Sequence, residues 1–190
     1  MLKSNVSWST NTDSYTQGKE AAKKAVVDLI QTKVAFLFTS VDCNVEKVLE
    51  GAKAELGTAP IIGCTSSAGI ITPEGFISSE NGFTGILALG DPELTVGVAS
   101  SPKKEEARLT GQMVAKEAMK KAGRTDSPAY FYMVASPAEE EDYIKGIEDV
   151  IGRVPIFGGS AADNTVEGKW SIYTNNEIFS DGVAVAFFYT

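Results

Sequence analysis

The residues of this chain best equipped for chemistry lie in two short stretches of glycine and small polar side chains. One is Gly63-Cys-Thr-Ser-Ser-Ala-Gly69 and the other is Gly158-Gly-Ser-Ala-Ala-Asp-Asn164. Each follows an apolar run of strand length. A glycine at a strand exit permits positive φ and brings backbone N–H groups close to a ligand. Successive N–H groups in such a turn make an anion-binding concavity. In the first stretch the candidate ligand contacts are Gly63, Cys64, Thr65 and Ser66, and Ser67 adds a hydroxyl. In the second they are Gly158, Gly159, Ser160, Asp163 and Asn164. Asp163 suits a ligand ammonium, and Asn164 suits a carboxylate or an amide. The first stretch has Ala68 and Gly69 in the places of this polar pair, so only one stretch carries it. A plainer reading stands beside each. The first is also a tight turn that lets strands pack, and the second is also an Asx-turn in which Asp163 or Asn164 bonds its own backbone.

Cys64 is a nucleophile only if a base or an electropositive setting makes it a thiolate. The chain contains two cysteines and no histidine. Gly159 stands where Cys64 stands in the other stretch, so the sequence predicts a small buried residue that is dispensable. Without histidine there is no Ser-His-Asp triad, Cys-His dyad, Cys₂His₂ zinc site or histidine-ligated haem. No catalytic residue, metal or cofactor is assigned, and the expectation is that the chain is not an enzyme. The acidic run Glu139–Asp142 fits the first turn of a helix, where the dipole favours negative charge. Trp8 and Trp170 read as core or lid residues, and Gly168–Tyr173 as a cover for the second stretch.

The elements that must position these stretches repeat. Val34–Ser40, a helical pattern and Pro60–Ser66 recur as Tyr130–Ser136, a helical pattern and Pro155–Ala161, with almost no drift in register. A repeat of this length suits a duplicated half-domain rather than a solenoid. Apolar spacing predicts helices over about Asp13–Gln31, from Asp42 or Asn44 to Leu56, from Ser101-Pro102 to Gly123, and from a Ser136–Glu139 capping box to Ile151. Phe83–Leu89 and Leu94–Ala99 read as a hairpin across Gly90-Asp91-Pro92. The fold class expected is α/β. It has two internally duplicated α-β-α-β halves, about 13–100 and 101–190, with mixed sheets and a pseudo-twofold. The second copy ends at Tyr189 with no counterpart of Leu94–Ala99. Val183–Tyr189 is therefore expected to be an open edge, paired by a second subunit or by a C-terminal segment.

The formal net charge of −8 disfavours nucleic acid. Even Lys103 and Lys104 are followed at once by Glu105 and Glu106. No apolar run approaches the roughly 20 residues that span a bilayer. The N-terminus lacks a signal-peptide core. The expected address is the cytoplasm, with neither nucleic acid nor membrane as a partner.

Ala59–Gly69 and Pro155–Asn164, followed by Asp181-Gly-Val-Ala-Val-Ala186, resemble the FIST N-terminal domain. The likeness runs from the Gly18-Lys-Glu-Ala-Ala-Lys segment to the last strand, so 1–190 reads as one such domain without its C-terminal companion. The resemblance implies an intracellular sensory domain that binds a small ligand, such as an amino acid or small carboxylate. It implies a signalling partner such as a histidine kinase, cyclase or chemoreceptor. Two other functions stay open on the residues alone. One is a small-molecule enzyme using Asp163, Asn164, Thr65 and Ser160 in acid–base roles. The other is an interaction module that binds no ligand.

Overall fold

Two mixed sheets lie face to face, each covered on its outer side by two helices. The computed structural model describes residues 1–104 and 106–190. The offset of Lys104 by Glu105 falls outside them. The first sheet has the order β1 (Lys3–Ser9), β6 (Thr84–Gly90), β2 (Thr32–Thr39), β3 (Ile61–Thr65), β10 (Ile172–Thr174), β11 (Ile178–Phe179). The second has the order β7 (Thr95–Pro102), β12 (Gly182–Tyr189), β8 (Tyr130–Ala135), β9 (Ile156–Ser160). A separate hairpin is formed by β4 (Ile70–Thr72) and β5 (Gly75–Ile77).

The helices are α1 (Ser14–Ala25), α2 (Val45–Leu56), α3 (Ala107–Ala122) and α4 (Glu140–Ile151). The first pair packs on β2, β3 and β6 through Ala21, Ala25, Val48, Leu49 and Ala52. The second pair packs on β8 and β12 through Val114, Ala118, Tyr143 and Ile147. Between the sheets lies a third core that includes Val34, Phe36, Ile62, Tyr132, Val134, Ala184 and Phe188. Strands buried on both faces carry apolar residues without alternation, as in Val34–Leu37 and Val183–Phe188.

Both sheets share one order of connections. In each, a parallel pair (β2 with β3, β8 with β9) is flanked by an antiparallel strand from later in the chain (β6, β12), then by an earlier one (β1, β7). Each helix pair also closes on small residues. A methyl at Gly51 would meet the Tyr15 carbonyl oxygen at 2.0 Å, and one at Gly146 the Arg108 carbonyl oxygen at 2.0 Å.

Several expectations are corrected here. Phe83–Leu89 and Leu94–Ala99 do not form a hairpin. The turn is present, with Glu93 N–H donating to Asp91 Oδ1 at 3.1 Å, but β6 and β7 leave it into different sheets. The strand equivalent to β7 is therefore β1, an N-terminal strand that the repeat does not include. It follows that β12 is no open edge. It pairs with β7 on one side and β8 on the other, and all eight of its residues are buried. No second subunit or C-terminal segment can add to it.

The first helix stops at Ala25, leaving Ile30 84% exposed in the connection to β2. The third begins at Ala107, because β7 runs on through Pro102, paired with Gly182. Its inward face is Thr110, Gly111, Val114, Ala115 and Ala118, which leaves Leu109 and Met113 exposed. Ser136 caps nothing. Its hydroxyl donates to Asp181 Oδ1 at 2.9 Å and accepts from Gly182 N–H at 3.1 Å, and α4 starts after Glu139 with no side-chain cap. The cap read at Asn44 is present, its Oδ1 accepting from Lys47 N–H at 2.9 Å.

Candidate functional site

The glycines that open the two candidate stretches are strand residues, and their work is close approach. Gly63 lies in β3 and Gly158 in β9. A methyl at Gly63 would stand 1.7 Å from the Leu37 carbonyl oxygen and 2.9 Å from the Tyr173 ring, so Gly63 lets β2 and β10 close on β3. A methyl at Gly158 would meet the Met133 carbonyl oxygen at 1.8 Å, and here φ is also +145°. Gly159 follows in β9 with open space where a methyl would stand. None of these glycines opens a turn that cradles an anion. The turns begin after Thr65 and Ser160.

Cys64 is buried in the core between the sheets. Burial pushes its thiol up to about 12, so it is protonated across the physiological range. It neither attacks nor faces a ligand. Thr65 is buried and fully engaged. Its N–H donates to the Ser171 carbonyl, its Oγ1 accepts from Ser171 N–H, and its carbonyl accepts from Ala162 N–H. Gly168–Tyr173 runs against both stretches, through Ser171 on Thr65 and through Lys169, whose N–H donates to Asp163. Trp170 donates its ring N–H to the Ser180 carbonyl at 2.9 Å. Ser66 closes its own turn on the Gly69 carbonyl at 3.0 Å. Ser160 donates to Glu140 Oε1 on α4.

Asp163 takes the Asx-type alternative, and its assignment to a ligand ammonium is corrected. Its side chain is buried and receives backbone N–H groups from its own loop: Thr165 at 3.2 Å, Val166, Glu167 at 3.1 Å and Lys169 at 2.7 Å. Desolvation raises its pKa, but these four donors outweigh that and hold the carboxyl below its ordinary value. The donors that satisfy the carboxylate leave Asp163 facing the loop. They also hold Val166 at φ 58°, a conformation that a β-branched residue rarely adopts.

What remains is Asn164, and it joins the two stretches. Its Oδ1 accepts from Ala68 N–H at 3.0 Å, and its Nδ2 donates to Asp42 Oδ2 at 3.0 Å. The Asp42 carboxylate also accepts from the Ser40 hydroxyl at 2.8 Å. Ala68 is held at φ 61°. The structure thus brings the loop after β3, the loop after β9 and the β2–α2 connection together at the carboxyl ends of β2 and β3. That is where ligands gather in α/β sheets. Asp42, Ser67 and Asn164 are exposed there. Sequence reasoning singles out Asn164 and reads Asp42 only as a helix cap. The visible signal is Ser40-Val-Asp42 at the exit of a buried strand, which by itself reads as a helix cap.

A second polar cluster stands at the end of β8. Lys103 Nζ lies 2.5 Å from Glu139 and 3.4 Å from Asp181, to which Ser136 also donates. The hydrogen bond with Glu139 raises the Lys103 pKa despite some desolvation. Buried Tyr143 packs in the same core, and its hydroxyl has no hydrogen-bond partner among the described residues. Glu140, Glu141 and Asp142 occupy the first turn of α4. Among the described residues no group of three or more His, Cys, Asp or Glu is placed to hold a metal ion. Two clefts open at the other ends of β2 and β3. One is lined by Leu29, Gln31, Glu55, Pro60 and Thr95, and another by Lys53, Thr58, Lys121 and Asn176. Where Gly63–Gly69 and Gly158–Asn164 meet, Ser67 and Asn164 are exposed beside Asp42.

The family model described as FIST N domain matches residues 33–190. No curated protein matches the sequence. Among solved structures, the chain is similar to the crystal structure of a cyanuric acid hydrolase from A. caulinodans. The TM-score is 0.49 at 10% identity, covering 99% of this chain and 67% of that one. That neighbour is an enzyme, so the expectation that this chain is not one is withdrawn. A likeness this distant assigns no activity. Among the described residues no helix is long and apolar enough to cross a membrane.

Proposed function

As the chain belongs to the FIST N domain family, a family of signal-transduction sensory domains, we propose that it senses a small ligand at the junction of Asp42, Ala68 and Asn164. The observation that carries this reading is the Asn164 side chain, which bonds the first stretch and the β2–α2 connection at once. A ligand with an ammonium group competes for Asp42. A ligand with a carboxylate competes for the Ala68 N–H and the Asn164 amide. An amino acid offers both groups. Binding exchanges the Asn164 clamp for ligand contacts and so changes how the two loops are held. A ligand moves such an equilibrium only by its differential affinity for the two arrangements. The change would be read by a signalling protein, such as a histidine kinase, cyclase or chemoreceptor, in the cytoplasm.

The test is a thermal-shift screen with amino acids and small carboxylates, followed by Asn164→Ala. A ligand at 100 times its Kd stabilises the fold by roughly 2.7 kcal/mol. Asn164→Ala is expected to abolish most of that gain. A stabilising ligand whose effect survives Asn164→Ala unchanged places the site elsewhere.

A further inference from the structure

The first sheet is completed by a hairpin, and the second lacks one. In the first sheet β10 pairs antiparallel with β3, as Ile172 with Cys64, Tyr173 with Gly63 and Thr174 with Ile62. Tyr173 lies over Gly63 and is wholly buried. In the second sheet the strand in the place of β3 is β9. The match follows from pairing, since Leu37 aligns with Gly63 and Met133 with Gly158. Beyond β9 the sheet ends, all five of its residues are exposed, and Ile156 and Phe157 are 41% and 48% exposed.

The chain also carries an unused hairpin. Among the described residues β4 and β5 pair only with each other, and Ile71 and Phe76 are 87% and 63% exposed. Ile70-Ile-Thr72 repeats the pattern of Ile172-Tyr-Thr174, and each starts its hairpin. An open apolar edge and an open apolar hairpin in one chain are two halves of a contact that the chain already makes once.

We propose that a second copy of this chain fills both places reciprocally, the β4–β5 hairpin of each protomer pairing antiparallel with β9 of the other. The β3–β10 contact sets the register: Ile70 opposite Gly159, Ile71 over Gly158, and Thr72 opposite Phe157. Ile71 then covers Gly158 as Tyr173 covers Gly63. Charge supports the fit. In the first sheet Thr58 and Asn176 line one cleft. Their counterparts are Arg153, whose side chain is 89% exposed with its Nε 3.6 Å from Glu148 Oε1, and Glu74, a cation and an anion. Edge pairing of this kind draws its affinity from main-chain hydrogen bonds and its register from alternate side chains.

Sedimentation velocity tests the proposal with Ile71→Glu on the hairpin and Ile156→Lys beside Gly158. Both side chains are exposed in the single chain, so each variant should keep the wild-type far-ultraviolet circular dichroism and unfold cooperatively, melting below the wild type only by what dimerisation adds. The wild type is expected to be a dimer and each variant alone a monomer. An equimolar mixture should form dimers again. In the mixed dimer one contact sets the new carboxylate of one protomer's hairpin against the new ammonium on the other's edge strand, and the second contact is wild type on both sides. A monomeric wild type at every concentration overturns the proposal and leaves the edge to a different occupant. So does a dimer that both substitutions leave intact, or a mixture that stays monomeric.

Discussion

Asp163 and Asn164 are neighbours in sequence with opposite fates. Asp163 is buried and satisfied by four N–H donors, whereas Asn164 is exposed and bridges two loops. Asp163→Ala should lower the melting temperature by several degrees, equally with and without any ligand. Its pH signature follows from its depressed pKa. A carboxylate held below its unfolded value of about 3.9 adds stability above that pH and loses it as pH falls through the folded value. Acid titrations followed by circular dichroism should show a flatter stability loss below about pH 4 in Asp163→Asn. An unchanged acid limb would remove the cap from the account. Cys64, with its thiol pushed up to about 12, should resist alkylation by iodoacetamide in the native protein at about pH 8 and react on unfolding. Mass spectrometry reads the difference, and rapid native labelling of Cys64 would contradict its burial.

Gly63 and Gly159 separate structural glycine from permissive glycine at the level of the strand. Gly63→Ala drives a methyl into the Leu37 carbonyl and the Tyr173 ring. It should cost about 3 kcal/mol or more, as severe overpacking does. A methyl at Gly159 meets nothing within 4 Å, so Gly159→Ala should stay within about 0.5 kcal/mol. Denaturant titration of the two variants measures the contrast. The elements themselves are largely legible in the sequence. The run Tyr130–Ala135, the Asn44 cap, the α2 stripe and the inward Tyr143, Ile147 and Ile151 need only local pattern. What the sequence hides is partnership. β6 and β7 flank a good turn, yet nothing local says that they enter different sheets. Lys3–Ser9 is a polar strand at the edge of its sheet, and it gives no apolar run to read. Ser136 has the residues of a capping box, but Asp181, distant in sequence, takes its hydroxyl.

For the molecule as a whole, the two helix-covered sheets provide a rigid frame, and the adjustable chemistry lies in the loops at one end. Of the candidate contacts singled out from sequence, the frame absorbs Gly63, Cys64, Thr65 and Gly158 as packing. It leaves Asn164 exposed at the junction. Asp42 joins it only through folding, because a side chain distant in sequence turns a local cap motif into an acceptor for Asn164. The central claim is that this junction holds the ligand. Isothermal titration calorimetry of the wild type, Asn164→Ala and Asp163→Ala, with a ligand drawn from the amino-acid and carboxylate screen, tests it most directly. The account predicts tight binding by the wild type, binding kept within a few-fold by folded Asp163→Ala, and at least a tenfold loss (about 1.4 kcal/mol) in Asn164→Ala. Equal affinity in the wild type and Asn164→Ala would contradict it.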